Sequence, residues 1–190
     1  MQTVEREFLT QDELKRLEEK QIGISRLEQV RDIFLFCCLT GLAYVDVASL
    51  NMENIVEGKR GRQWLRKARN KTNNMCNIPL LRPALRILEK YAEYRTATGR
   101  LLPVPSNQKM NAYLKELATL CGVAKNLTTH CARHTFATTV TLANGASLEN
   151  VSKMLGHSSI RMTQHYAKIL NSSIERDMDK IESELIGEDE

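Results

Sequence analysis

At 190 residues the chain fits one domain, or one domain with appendages, and is long enough to bury a full core. Its 42% hydrophobic and 26% charged residues are ordinary for a soluble globular protein, no apolar stretch reaches bilayer length, and Glu5, Glu7 and Asp12 stand where a secretory leader would be basic and then apolar; neither membrane insertion nor export is expected, and a cytoplasmic setting is. The net charge of +4 conceals an asymmetry, because the last twenty residues hold eight acids against Arg176 and Lys180, leaving residues 1–170 with 25 basic against 15 acidic side chains, a balance of +10.

Helix starts are well marked at the N-terminal end. Thr10-Gln-Asp-Glu13 and Ser25-Arg-Leu-Glu28 both have the form in which a hydroxyl and a carboxylate cap the helix reciprocally. Leu27, Val30, Phe34, Cys37 and Cys38 then recur at helical spacing, and Gly41 supplies a stop, so a buried helix is predicted from Leu27 to Thr40. Between Asn54 and Leu80 the pattern turns to short β-prone pieces, Ile55-Val56, Trp64-Leu65 and Asn77-Ile78-Pro79-Leu80, separated by Gly58, Gly61 and Asn73-Asn74. Those turn residues predict a small antiparallel sheet of three strands. Helices are predicted again over Pro83–Tyr94, Asn107–Leu120, His130–Ala143, Ser147–Leu155 and Ile160–Leu170. The fold class is therefore mainly α with one small antiparallel sheet. The acidic tail, residues 171–190, has apolar spacing at Ile174, Met178, Ile181 and Leu185 that suits either a short amphipathic helix docking on a partner or a frayed end.

From Gly58 to Leu88 there is no acidic residue, while Lys59, Arg60, Arg62, Arg66, Lys67, Arg69, Lys71, Arg82 and Arg86 are all basic. Such a stretch is built to meet a polyanion, nucleic acid being the usual one, although a solvated charged face remains the alternative on charge alone. On a strand continuing from Trp64, Lys67, Arg69 and Lys71 would share one face. Five cysteines, an odd count with no C-x-x-C pair, indicate reduced buried thiols rather than disulfides or a zinc ribbon.

The chemistry-bearing residues cluster near the C-terminal end. His130 and Arg133 are three apart at a helix start, where they share a face and where unpaired N–H groups favour an anion. Arginine offers a planar donor fork matched to phosphate oxygens, and histidine can donate a further bond or carry a proton. His157 follows Gly156, a natural stop, and so lies in a tight turn from which a side chain can aim into a cleft; Ser158 or Ser159 can cap the helix carrying Tyr166. His130 and His134 also have the i, i+4 spacing of zinc sites, but Cys131 stands where the essential glutamate would be and no third ligand is spaced to join them, so no metal is expected.

Taken together, Thr40-Gly41-Leu42, Lys71-Thr72, His130-x-x-Arg133-His134-Thr135-Phe136-Ala137, Leu155-Gly156-His157 and Tyr166 resemble the catalytic domain of tyrosine recombinases, most of all the integrases of conjugative transposons and related mobile elements. The likeness spans Phe8 to Leu170. It implies that Tyr166 attacks the scissile phosphate to leave a 3′-phosphotyrosyl link, that Lys71 protonates the leaving 5′-oxygen, that Arg133 and His157 clamp the non-bridging oxygens, and that His130 assists proton transfer. The link conserves the phosphodiester energy, so neither ATP, metal nor other cofactor is implied. Residues 1–170 are assigned to the catalytic domain, and the basic residues Lys59, Arg60, Arg62, Arg66, Lys67 and Arg161 are the expected DNA contacts.

Two departures from the family pattern stand out. An arginine usually follows the Thr-Gly-Leu segment, and here that position is Ala43; losing such a donor costs about 2–4 kcal/mol of transition-state stabilisation. Arg69 is the candidate replacement. The family's clamp around the duplex is completed by an N-terminal core-binding domain, which the resemblance, beginning at Phe8, leaves out of the expected domains of this chain, so weak DNA affinity is expected. Further implications are double-stranded DNA as partner, a homotetramer on DNA with tails exchanged between neighbours, a monomer as the alternative for an isolated domain, an accessory DNA-bending protein, and location at the nucleoid. Two other readings fit the residues: a DNA-binding module without catalysis, for which Ala43 is the best support, and a strand-passing enzyme of the type IB topoisomerase kind.

Overall fold

The computed structural model describes residues 7–167, 178–179 and 181–183. Residues 7–167 form nine α-helices and a three-stranded antiparallel sheet, the class the sequence predicts. Helix α1 (Gln11–Glu19) opens with the expected reciprocal cap: the Thr10 hydroxyl accepts from the Glu13 N–H at 3.3 Å, and the Glu13 carboxylate accepts from the Thr10 N–H at 2.8 Å. Helix α2 (Ser25–Thr40) begins differently. Gly23, at φ 66°, turns the chain early, so Ile24 occupies the cap position without a side-chain bond, Ser25 is already helical, and the Glu28 carboxylate accepts from the Gly23 N–H at 3.3 Å.

Helix α2 is the central beam, buried along Val30, Ile33, Phe34, Phe36, Cys37 and Cys38. It ends where predicted. Gly41 takes the left-handed conformation at φ 69° and its N–H bonds the Cys37 carbonyl at 2.8 Å. A Cβ there would fall 2.5 Å from Cδ1 of Phe136, so both the backbone sign and the space demand glycine. The five-residue helix α3 (Tyr44–Ala48) follows; no periodicity announces so short an element.

Strands β1 (Ile55–Glu57), β2 (Gln63–Ala68) and β3 (Met75–Pro79) pair in sequence order, with Leu65 opposite Ile78 and Lys67 opposite Cys76. The two-residue alternation buries Leu65, Cys76 and Ile78 and turns Trp64, Arg66 and Asn77 to the other face. Pairing stops at Ala68–Met75, which corrects the expectation of one strand face shared by Lys67, Arg69 and Lys71. Residues 69–74 instead form the turn: the Arg69 N–H bonds the Asn74 carbonyl at 3.0 Å, the Asn73 N–H bonds the Arg69 carbonyl at 2.8 Å, and Asn73 sits at φ 56°. Lys71 stands exposed in that turn. The same alternation separates Lys67 from Arg66, so the basic residues of the sheet do not form one face.

The single helix predicted over Pro83–Tyr94 is two, α4 (Arg82–Lys90) and α5 (Ala92–Thr98). The break is pinned from outside, because the Lys90 ammonium at 2.6 Å and the Tyr91 hydroxyl at 2.8 Å both donate to the buried carboxylate of Asp32 on α2. Helix α6 (Asn107–Leu120) is capped by Ser106. Helix α7 (Thr129–Thr135), capped by Thr128, widens into a π-helical turn over Phe136–Thr141 and tightens over Leu142–Asn144, where one uninterrupted helix is predicted. Buried threonines account for the change: the Thr141 hydroxyl donates to the Phe136 and Ala137 carbonyls at 2.8 and 2.9 Å, competing with the regular ladder. The Leu9 N–H donates to the Thr135 hydroxyl at 2.9 Å and the Thr139 hydroxyl donates to the Leu9 carbonyl, strapping the N-terminal segment onto this helix.

Helix α8 (Leu148–Met154), capped by Ser147, and helix α9 (Arg161–Ala167) complete the described body. The expected continuation to Leu170 and most of the acidic tail, including Ile174 and Leu185, lie outside the described residues; Met178 and Ile181 are described and exposed. Phe34, Phe36 and Phe136 are wholly buried at the centre, where truncating one to alanine costs about 3–5 kcal/mol. Phe136 also wedges the end of α2 against α7, and this junction holds the site.

Candidate active site

Four chain segments converge: the end of α2, the β2–β3 turn, α7, and the turn between α8 and α9. Arg133 joins three of them. Its guanidinium donates to the Gly41 carbonyl at 2.5 Å and to the Leu155 carbonyl at 2.6 Å, using the open ends of α2 and α8 as anchors. Burial, with the neighbouring Arg69 charge adding to it, pulls its pKa down to about 10, so it stays cationic at neutral pH. Arg69 itself lies against Gly156, where an added Cβ would meet its Cδ at 3.0 Å. The Arg69 and Arg133 charges repel each other, and an anion placed between them would relieve that repulsion, which favours anion binding. Asp46, buried on α3, supplies part of the compensation: its carboxylate accepts from the Asn70 N–H at 2.9 Å and acts on Arg133 through space.

Gly156, at φ 61°, makes the tight turn read from the sequence. Its carbonyl accepts from the Asn74 carboxamide at 3.2 Å, tying the β2–β3 turn to the segment that carries His157. Nδ1 of His157 lies 2.7 Å from the hydroxyl of the buried Thr163, which orients the ring. Ser159 rather than Ser158 caps α9, accepting from the Arg161 N–H at 3.3 Å. The Tyr166 hydroxyl is 2.8 Å from Nδ1 of His134, and the ring is only 3% exposed. The phenol also lies within electrostatic range of Arg133. His130, on the exposed side of α7, stands edge-on to His134 with ring centroids 4.3 Å apart.

Thus Arg133, Arg69, His157, Tyr166 and His130 are gathered around one end of α2. Lys71 makes none of these contacts and stands exposed on the turn whose base, Arg69 and Asn74, touches the cluster. Among the other basic residues singled out in the sequence, Lys59, Arg62 and Arg66 line one cavity of about 430 Å³, Arg60 and Arg161 are exposed elsewhere, and Lys67 is half-buried opposite Cys76. Asp46 and Thr163 have no place in the sequence reading, and His134 enters it only in the rejected metal pair and as a member of the motif around Arg133. His134 carried a usable signal in its place within the motif around Arg133. Asp46 and Thr163 carried none, being ordinary polar residues until tertiary packing buries them. Among the described residues no group of three or more His, Cys, Asp or Glu side chains could hold a metal ion. No described helix is long and apolar enough to cross a membrane.

Residues 7–172 match the model of the phage integrase family. Tyrosine recombinase XerA of Pyrococcus furiosus is 30% identical over 183 residues, covering 88% of this chain and 60% of the relative. Tyrosine recombinase XerD of Oceanobacillus iheyensis is 29% identical over 184 residues, covering 88% and 59%. The chain thus spans about three fifths of the length of these relatives. A crystal structure of XerA recombinase superposes with a TM-score of 0.69 at 23% identity, covering 93% of this chain and 65% of that one. The Tn1549 transposon integrase in complex with a circular intermediate DNA gives 0.66 at 17% identity, covering 94% and 67%. At such identities the superpositions establish a common fold.

Proposed function

The chain belongs to the phage integrase family, and on that premise we propose that it is the catalytic domain of a site-specific tyrosine recombinase, cleaving and rejoining double-stranded DNA to integrate or excise a mobile element. The observation that carries the reading is the Tyr166 hydroxyl held at His134 within electrostatic range of the Arg133 guanidinium. Tyr166 is the nucleophile. His134 or, through it, His130 takes the phenolic proton as the oxygen–phosphorus bond forms, and the bond from phosphorus to the 5′-oxygen breaks. Arg133, His157 and Arg69, in place of the arginine missing at Ala43, stabilise the charge on the non-bridging oxygens. Lys71, exposed on a turn whose base is tied to Gly156, swings in to protonate the departing 5′-oxygen. With Tyr166 at 3% exposure no phosphate fits against its hydroxyl, so DNA engagement must displace α9.

Lys59, Arg60, Arg62, Arg66, Lys67 and Arg161 contact phosphates, giving a steep fall of affinity with salt. No step of this chemistry needs a metal or nucleotide cofactor. The working assembly is a homotetramer on DNA with C-terminal segments exchanged, aided by a DNA-bending protein at the bacterial nucleoid in the cytoplasm. The solved Tn1549 integrase complex with DNA supports the partner, and the family membership supports the chemistry. Incubation with two duplexes of different length, one labelled, tests the reaction class: swapped ends are expected. Relaxed plasmid without swapped ends would assign the chain to strand passage instead, and binding without either product would leave a DNA-binding module.

A further inference from the structure

We propose that the groove between β3 and α8 is a binding site for an unpaired nucleobase of the DNA strand beside the scissile phosphate, with Trp64 as its stacking surface. The inference rests on the strand-transfer reading above. The groove has a volume of about 540 Å³, ample for a base with its sugar, and Gly156 and His157 are among its lining residues. Trp64 looks into it from the solvent face of β2. Three carboxamides, Asn74, Asn77 and Asn150, and the ammonium of Lys153 line the same space, and no carboxylate does. A carboxamide presents a donor and an acceptor side by side, which matches the paired donor and acceptor on a base edge.

The second cavity, with Arg62 and Arg66, shares Trp64 and Asn77 with the first. The indole therefore stands at a junction, guanidinium groups on one side and carboxamides leading to His157 on the other. A phosphodiester strand following the cations past the indole reaches the candidate active site with a base at the carboxamides. The reaction supplies such a base. After cleavage the strand ending in a 5′-hydroxyl must leave its complement to attack the second duplex, so the bases beside the break pass through an unpaired state that has lost its stacking. An aromatic platform with amide edges restores stacking and hydrogen bonds at that moment.

Trp64 is the one tryptophan of the chain, so its emission reads this site alone. The full chain is titrated with a fully paired duplex, with the same duplex carrying a three-base internal bubble, and with heparin as an anion without bases. The bubble duplex is expected to bind at least about fivefold tighter than the paired one and to quench the emission by about half, while heparin binds without comparable quenching. Asn77→Ala is expected to bring the two duplex affinities together. Equal affinities with unquenched emission in the parent chain, or full bubble preference in Asn77→Ala, overturn the base site. Covalent adduct formation on a nicked duplex is scored in the same preparations: an adduct without bubble preference overturns the base site alone, whereas neither adduct nor preference overturns the strand-transfer reading with it.

Discussion

His134 and Tyr166, 32 residues apart, meet at 2.8 Å between ring nitrogen and phenolic oxygen in a buried setting. Removing the hydroxyl in Tyr166→Phe leaves a buried polar nitrogen short of a bond, which costs about 1–3 kcal/mol. Chemical denaturation is expected to show that loss with an unchanged slope. A variant as stable as the parent would mean that water takes the hydroxyl's place.

Arg133→Lys keeps the charge and loses the fork. One ammonium on a flexible stem cannot hold the Gly41 and Leu155 carbonyls and also face a phosphate in a fixed plane. Cleavage is expected to fall by about 10²–10³-fold, with stability down by about 2 kcal/mol. Cleavage within tenfold of the parent would show that position 133 supplies charge alone.

Arg69→Ala tests the cation assigned to the role vacated at Ala43. A drop of about 10²-fold in single-turnover cleavage is expected, larger than any loss of DNA affinity. If Arg69→Ala cleaves as fast as the parent, another group fills the gap. Gly156→Ala approaches the same point from the backbone: at φ 61° the new Cβ would fall 2.8 Å from Sγ of Cys76 and 3.0 Å from Cδ of Arg69, costing about 1–3 kcal/mol and displacing the guanidinium.

The thiols make a test that does not depend on DNA. All five cysteines are buried, and burial lifts Cys37 to about 12 and Cys76 and Cys131 to about 11, far from the thiolate range at pH 8. Native protein is expected to resist a thiol-exchange reagent for hours and to release five equivalents in denaturant. Rapid reaction of any one thiol in the native state would contradict the packing at that position.

Acid should loosen the N-terminal helix. Burial alone would raise the Glu13 pKa, but Lys125 at 2.5 Å and the Thr10 backbone and hydroxyl outweigh it and hold the value below the usual 4.5. A carboxylate lowered in the folded state contributes stability that is complete above 4.5 and disappears as pH falls through the lowered value. Glu13→Gln is therefore expected to flatten the fall of stability with acid below about pH 4.5. An unchanged slope there would exclude this ion pair as a source of acid sensitivity.

Much of the fold was legible because its signals are local. The Thr10 box, the Gly41 stop, the apolar spacing of α2 and the turn residues around the sheet act over a few residues, and each appears where the sequence puts it. What was not legible depends on partners far along the chain: the break at Tyr91 is set by Asp32, the widened turn at Phe136–Thr141 by buried threonines and the strap at Leu9, and the end of β2 by the length of β3. The site divides the same way. Arg133, His157 and Tyr166 stand in recognisable local patterns, whereas the approach of Arg69 to Gly156 and of His134 to Tyr166 follows only from the assembled core. Lys71 stands exposed at the tip of the turn, while Asn70 and Asn74 on either side of it are the turn residues tied to Asp46 and Gly156.

The central claim is that the Tyr166 oxygen becomes bonded to phosphorus. Nicked duplexes of randomised core sequence, from which the short cleaved fragment diffuses away, trap that state when mixed with the protein. The account predicts a denaturant-resistant protein–DNA adduct whose peptide map places a phosphonucleotide on Tyr166, formed without metal or ATP and lost in a folded Tyr166→Phe variant. An adduct of undiminished yield in Tyr166→Phe, or one mapped to another side chain, would contradict it.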